Sequence, residues 1–159
     1  VSGMEPQLAC PHSVDNVDTL AHVTANREIK LNQGYIGSCT GGREEDIAVA
    51  ARIVKGRHIP PYSRLVVVPA SSEVMLSCME KGYIQDLMNA GATITTPGCG
   101  ACLGAHEGII APGETCISST NRNFPGRMGS NQASIYLASP ATVAASIING
   151  RITDPRDYL

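Results

Sequence analysis

Short apolar segments alternate with helix-like segments along most of this chain. The run RLVVVPA (64–70) is continuously apolar, as in strands that are buried on both faces. The segment after it, SSEVMLSCMEKG (71–82), predicts a helix that a serine caps at its start and Gly82 ends. The same alternation is repeated by GYIGSC with REEDIAVAARIVKG, by YIQDLMNAG with ATITTPG, and by TCISST, SIYLASP and the last helix ATVAASIINGR.

This alternation predicts the fold class. It indicates a three-layer α/β/α domain with a mostly parallel sheet and helices on both faces. A chain of 159 residues is long enough for one such domain with a buried core, and too short for a second. Residues 1–33 are polar and rich in turns, so we expect an extended entry segment before the α/β domain at 34–159. Since the chain begins with valine, we also expect it to be a piece of a longer protein or a processed product.

Composition narrows the class of protein. The chain has 12 Lys and Arg against 14 Asp and Glu, for a net charge of -2. This balance does not favour a broad basic face, so we expect no nucleic-acid partner. The apolar runs are too short to cross a bilayer and the first residues lack a signal-peptide pattern, which predicts a cytoplasmic protein without a membrane partner. Six cysteines could form three disulfides in a secreted protein, but the lack of an export signal favours reduced thiols.

Three of the cysteines occupy related places in the predicted sheet. Cys99 and Cys102 lie two residues apart in TPGCGACLGAHEG (96–108), at the end of one predicted strand. Cys39 lies at the end of another. Because ligands in such sheets collect at the carboxyl ends of the strands, three thiolates could converge on one site at this edge.

Several chemistries could use these thiols. A CxxC pair is typical of redox thiols or of half a zinc site. A redox site leaves Cys39 without a role, and zinc needs a fourth ligand, for which His106 is the nearby candidate. The glycines favour a bulkier iron-sulfur cluster, which needs space and backbone N–H groups directed at its sulfurs. With three cysteine ligands one iron would stay open and act as a Lewis acid.

A second motif indicates an anionic ligand. The segment STNRNFPGRMG carries Arg122 and Arg127 with Asn121 beside them, just past a predicted strand. Each guanidinium is a planar fork that can hold a carboxylate through two hydrogen bonds. Beside an exposed iron, these arginines would form a binding pocket for a di- or tricarboxylic acid. The alternative is that they are solvated loop residues.

Four motifs in order resemble the aconitase superfamily, and within it the large subunits of 3-isopropylmalate dehydratase and homoaconitase: IGSCT (36–40), GCGACLG (98–104), STNRNFPGR (119–127) and YLASPATVAASI (136–147). The resemblance implies the third domain of such a subunit. It implies a 4Fe-4S cluster on Cys39, Cys99 and Cys102 with one iron not ligated by protein, and places Arg122, Arg127 and Asn121 in the catalytic site. The chain departs from the family pattern at Gly41, where asparagine is usual.

The resemblance also implies an activity. It is a hydro-lyase reaction that isomerises a hydroxy acid by dehydration and rehydration, nearest to 3-isopropylmalate and 2-isopropylmalate in leucine biosynthesis. Homoaconitase, 2,3-dimethylmalate dehydratase and aconitase-type substrates are alternatives, and a cluster-sensing or zinc-binding domain without turnover is an alternative of another class. The implied partners are the upstream domains of the large subunit and a small subunit with the swivelling domain and the catalytic base. We therefore expect the chain alone to be inactive.

Overall fold

The chain folds around a seven-stranded sheet in a computed structural model that describes residues 4–159. The strands follow the order β2-β1-β7-β6-β3-β4-β5 across the sheet. The five from β7 to β5 are parallel, and β1 and β2 are antiparallel at one edge. The mostly parallel α/β fold is therefore confirmed. The strands are β1 Gln7–Ala9, β2 Val17–Thr19, β3 Gln33–Gly37, β4 Arg64–Val68, β5 Thr93–Ile94, β6 Thr115–Ser118 and β7 Ser134–Leu137.

Residues 4–159 contain five α-helices, of which four lie between strands and α5 follows β7, and the end signals predicted for α3 are present. The Ser71 side chain accepts a hydrogen bond from the Val74 N–H at 3.3 Å and caps α3. Gly82 follows the end of α3 at Glu80 by two residues and has a φ of 79°, a left-handed conformation that glycine adopts without a steric penalty. Within residues 4–159 no helix combines the length and the apolar character needed to cross a membrane. The helices are α1 Leu20–Thr24, α2 Glu44–Val54, α3 Ser72–Glu80, α4 Tyr83–Asn89 and α5 Pro140–Asn149.

The central strands divide their side chains between two cores. Ile36 and Val67 point into a core that also holds buried residues of all five α-helices. Tyr35 and Val66 point to the opposite face. There the cover is a 3₁₀ turn, Gly100–Leu103, with the loops around it. The prediction of helices on both faces is therefore wrong for this face of the sheet. The sequence between β5 and β7 is rich in glycine and proline, which destabilise helices, so a turn and loops form this layer.

The segment before β3 extends the sheet. Residues 1–33 are expected to form an extended entry segment, and their described part, 4–33, contains β1, β2 and α1. Ala9 pairs with Leu137 of β7, and Leu8 and Leu20 are buried in the helical core. Strands of three residues are too short to show a hydrophobic period, which is why the pattern does not reveal them. Residues 1–3 lie outside the described part of the chain.

Candidate functional site

The carboxyl ends of four neighbouring parallel strands form the candidate site. Cys39 follows β3, the central strand of this group, by two residues. The loop after β6 carries Asn121 and Arg122, and the loop after β5 carries Cys99 and Cys102. Because β6 and β4 both pair with β3, and β5 pairs with β4, these loops leave the same edge of the sheet.

The loop after β3 exposes Cys39 and packs tightly against the loop after β6. The Gly37 N–H donates to the Ser119 hydroxyl at 3.1 Å, and that hydroxyl donates to the Gly41 carbonyl at 3.0 Å. A Cβ atom on Gly41 would lie 2.3 Å from the Ser119 carbonyl oxygen. Gly41, the departure from the family pattern, is therefore the residue that this close approach requires.

The CxxC pair spans the 3₁₀ turn on the second face. The Cys102 N–H donates to the Cys99 carbonyl at 2.8 Å, which closes the turn. Cys99 is exposed, whereas Cys102 is 7% exposed and belongs to the second core. Gly104 ends the turn at a φ of 75°, and a Cβ there would lie 3.1 Å from the Gly129 nitrogen. The glycine thus permits close contact between the CxxC loop and the arginine loop.

Arg127 is the direct link between these loops. Its Nη2 lies 3.8 Å from the Cys102 Sγ, and its guanidinium lies over the Phe124 ring, 5.7 Å from the centroid. This N–H group is directed at a cysteine sulfur, the kind of ligand atom that binds metals. The structure therefore brings together Cys102 and one of the two arginines that the sequence singles out.

Asn121 and Arg122 lie on a neighbouring surface. Both are exposed, and they line a cavity of about 380 Å³ together with His12, Ser13 and Val14 of the entry segment. The Arg122 guanidinium is therefore open to a ligand on the same loop whose other end contacts Cys102.

Sequence reasoning missed a residue that joins the entry segment to the arginine loop. Asn123 is 1% exposed, and its Nδ2 donates to the Cys10 carbonyl at 2.7 Å and is 3.3 Å from the Ser13 carbonyl. These bonds hold the wall of the cavity that Arg122 lines. In the sequence Asn121-Arg122-Asn123 it is the second asparagine that makes these bonds, and nothing in the spacing of the motif distinguishes it from Asn121.

Two hydroxyl groups near the cysteines have no partner. The Tyr35 Oη and the Ser38 Oγ are buried and make no hydrogen bond within residues 4–159. Tyr35 shares the second core with Cys102, and Ser38 directly precedes Cys39. Buried hydroxyls are normally paired, so both are available to a group that the cysteines would hold.

Burial sets the charge state of the groups around the CxxC turn. It raises the pKa of Tyr35, and the nearby Cys102 thiol raises that pKa further, so the phenol is neutral and keeps its proton at pH 7. Burial likewise raises the pKa of Cys116 to about 12, so this thiol stays protonated. All six cysteines lie in the described part of the chain and are free thiols.

The arrangement of possible metal ligands distinguishes a single metal ion from a cluster. Nowhere in residues 4–159 do three His, Cys, Asp or Glu side chains converge as they would around a single metal ion. A structural zinc needs four donors within about 2.3 Å of one ion. The ligands of a cluster bind different irons, so they need not converge on one point. Two exposed thiols and one buried thiol on loops at one edge, together with the unpartnered hydroxyls of Tyr35 and Ser38, fit a cluster better than a lone ion.

Comparison with known proteins gives a consistent family. The pattern of the aconitase family (aconitate hydratase) matches residues 5–150. The 3-isopropylmalate dehydratase large subunit 2 of Archaeoglobus fulgidus is 52% identical over 159 residues, which are 100% of this chain and 38% of that protein. The Methanopyrus kandleri 3-isopropylmalate dehydratase large subunit 1 is 51% identical over 100% of the chain and 37% of its own length.

A homoaconitase is almost as similar. The Thermus thermophilus homoaconitase large subunit is 48% identical over 99% of the chain and 37% of its own length. The chain thus spans a little over a third of the length of these relatives. Because the family pattern covers nearly all of the sequence and its motifs meet at one edge of the sheet, the chain belongs to the aconitase family.

Proposed function

We propose that this chain is the cluster-bearing third domain of the large subunit of a hydro-lyase that interconverts 3-isopropylmalate and 2-isopropylmalate. The observation that carries the proposal is the contact between Arg127 and Cys102, which joins the cysteine and arginine motifs. The identity of 52% to a 3-isopropylmalate dehydratase large subunit over the whole chain supports this substrate. The 48% identity to a homoaconitase makes homoaconitate the second candidate.

Cys39, Cys99 and Cys102 are the residues that would hold a 4Fe-4S cluster. Their positions on adjacent loops, the exposure of Cys39 and Cys99, and the unpartnered hydroxyls beside them fit such a group. When bound, a cluster with one iron free of protein ligands supplies a Lewis acid for a hydroxyl and a carboxylate of the substrate.

The arginine loop would bind and orient the substrate. Arg122 offers its five N–H donors to the cavity of about 380 Å³, where a carboxylate can accept two parallel hydrogen bonds. Asn121 lines the same cavity and can donate through its amide. Arg127 places a positive charge beside Cys102, which favours binding of an anionic substrate near this cysteine.

The proposed reaction needs groups from other parts of the enzyme. Removal of the proton next to the hydroxyl requires a positioned base. We assign this base to the swivelling domain of a small subunit, and protonation of the leaving hydroxyl to the upstream domains of the large subunit. The relatives are large subunits, and this chain covers 38% of the Archaeoglobus fulgidus protein, which supports the assignment of partners. The chain alone should therefore bind a cluster without catalysing turnover.

Anaerobic reconstitution tests the cluster assignment. The intact chain, treated with iron and sulfide, should gain the charge-transfer absorbance of a 4Fe-4S cluster with equal amounts of iron and acid-labile sulfide. Cys39→Ser, Cys99→Ser and Cys102→Ser should each lose most of it. Cys10→Ser is the matched control, since Cys10 lies in the entry segment and should not affect the yield.

A chimera tests the reaction. The chain replaces the matching 38% of the Archaeoglobus fulgidus large subunit, and the product is assayed with that organism's small subunit. We expect hydration activity on the isopropylmalate couple that is lost in Cys39→Ser. A chimera that folds and binds a cluster without turnover would favour a sensing role, and iron without sulfide in the reconstituted chain would refute the cluster assignment itself.

A further inference from the structure

Tyr35 is buried with an unpaired hydroxyl, so a phenylalanine at this position would avoid the free-energy cost of burying that group. It lies in the middle of β3, has 0% of its surface exposed, and packs in the second core with Ala101 and Cys102 of the CxxC turn. Its hydroxyl makes no hydrogen bond to the described residues. A buried hydroxyl without a partner loses its hydrogen bonds to water and gains none in return.

The missing partner must be an acceptor. The Cys102 N–H lies near the phenol oxygen, and it already donates to the Cys99 carbonyl at 2.8 Å. An N–H can satisfy only the acceptor capacity of the hydroxyl, so the O–H proton remains unbonded in either case. The position therefore calls for a hydrogen-bond acceptor that residues 4–159 do not provide in the absence of a bound group.

Cysteine residues lie on the same face of the sheet as this hydroxyl. Tyr35 shares the second core with Cys102 and Cys116, and Cys99 begins the same CxxC turn as Cys102. Cys116 is fully buried and its thiol, a neutral group, is directed toward the Ile117 carbonyl at 3.7 Å. Cys102 and Cys99 belong to the proposed ligand set, and their sulfurs become anionic acceptors once they bind iron.

We propose that the Tyr35 hydroxyl donates a hydrogen bond to the Cys102 side of the bound cluster, to the thiolate sulfur or to a sulfide next to it. This inference rests on the proposed function. Tyr35 is then a positioning residue that stabilises negative charge on the cluster. Hydrogen bonds to cluster sulfurs raise the reduction potential, because the reduced cluster carries one more negative charge.

The test compares Tyr35→Phe with Tyr136→Phe in the reconstituted chain. Tyr136 is also a buried tyrosine of a central strand, and it points into the opposite core. We expect Tyr35→Phe to lower the midpoint potential by an amount equal to about tenfold in the reduction equilibrium, or ~59 mV for one electron. Tyr136→Phe should leave the potential unchanged. The apo form of Tyr35→Phe should unfold at the same temperature as the parent or higher, which a purely structural tyrosine would not allow.

A second measurement detects the hydroxyl proton directly. Exchange into D₂O should reveal a strongly coupled deuteron near the cluster by electron-nuclear double resonance, and the signal should be absent from Tyr35→Phe. Equal potentials in the parent and both variants, together with an unchanged deuteron signal, would overturn the inference while leaving the cluster assignment intact. Failure of the parent to bind any cluster would refute the proposed function first, and the inference with it.

Discussion

Gly41→Ala tests the closest contact between two loops of the candidate site. The added Cβ would lie 2.3 Å from the Ser119 carbonyl oxygen and 2.5 Å from the Ser119 hydroxyl. The nearer of these atoms belongs to the backbone, so a side-chain rotation cannot relieve the clash. The chain must therefore separate the loop after β3 from the loop after β6.

The cost of this separation follows from the contacts that it breaks. Overpacking costs ~1–3 kcal/mol. The two hydrogen bonds of the Ser119 hydroxyl, to the Gly37 N–H and to the Gly41 carbonyl, contribute about 1 kcal/mol each. The free energy of unfolding should thus fall by ~3–5 kcal/mol, which lowers Tm by at least about 6 °C for a domain of this size.

Thermal and urea unfolding of the apo chain measure this effect without the cluster. Gly98→Ala is the matched control, because a Cβ there meets only the Thr96 carbonyl oxygen, at 3.9 Å. Its stability should stay within about 1 kcal/mol of the parent. Gly41→Asn, which restores the residue usual in the family, should be destabilised as Gly41→Ala is. A Tm within 2 °C of the parent for Gly41→Ala, taking ~2 °C as the effect of 1 kcal/mol, would refute the reasoning.

Three further variants test other parts of the structure. Asn123→Ala should lose ~2–3 kcal/mol and speed proteolysis of the entry segment, because the Cys10 carbonyl loses its buried partner; unchanged proteolysis would contradict this. The Arg64 guanidinium lowers the pKa of Glu114, so their pair stabilises the fold above the unfolded carboxyl pKa of about 4.3 and loses this effect as the pH falls through the lower folded value. Glu114→Gln should therefore cost ~1 kcal/mol in urea at pH 7 and progressively less in acid, whereas a cost that grows in acid would reverse the assigned sign. Arg122→Lys in the chimera should lower kcat/KM by ~10–100-fold with the cluster intact, and full activity would remove this residue from the substrate site.

The prediction of the elements succeeded because their patterns are local. The apolar run in Arg64–Val68 and the helical spacing in Glu44–Val54 depend on burial along one element, and the structure has both at these positions. The edge strands Gln7–Ala9 and Val17–Thr19 show no such pattern, since three residues are fewer than two periods of a strand.

The alternation of strands and helices, and the order in which the cysteine and arginine motifs follow their strands, can be inferred from the sequence alone. With the rule that parallel strands end at one edge, this was enough to predict a common site for Cys39, Cys99 and Cys102. It was also enough to recognise the family pattern, including the departure at Gly41.

Which of these groups are in contact depends on the packing of the folded chain. Gly41 and Ser119 are 78 residues apart, and Cys102 and Arg127 are 25 apart, so neither contact leaves a periodic signal in the chain. The sequence GYIGSC likewise gives no sign that the Tyr35 hydroxyl lacks a partner, because tyrosine is a common strand residue. Periodicity reports whether a side chain is buried, whereas the atoms that meet it there depend on how distant loops pack over the edge of the sheet.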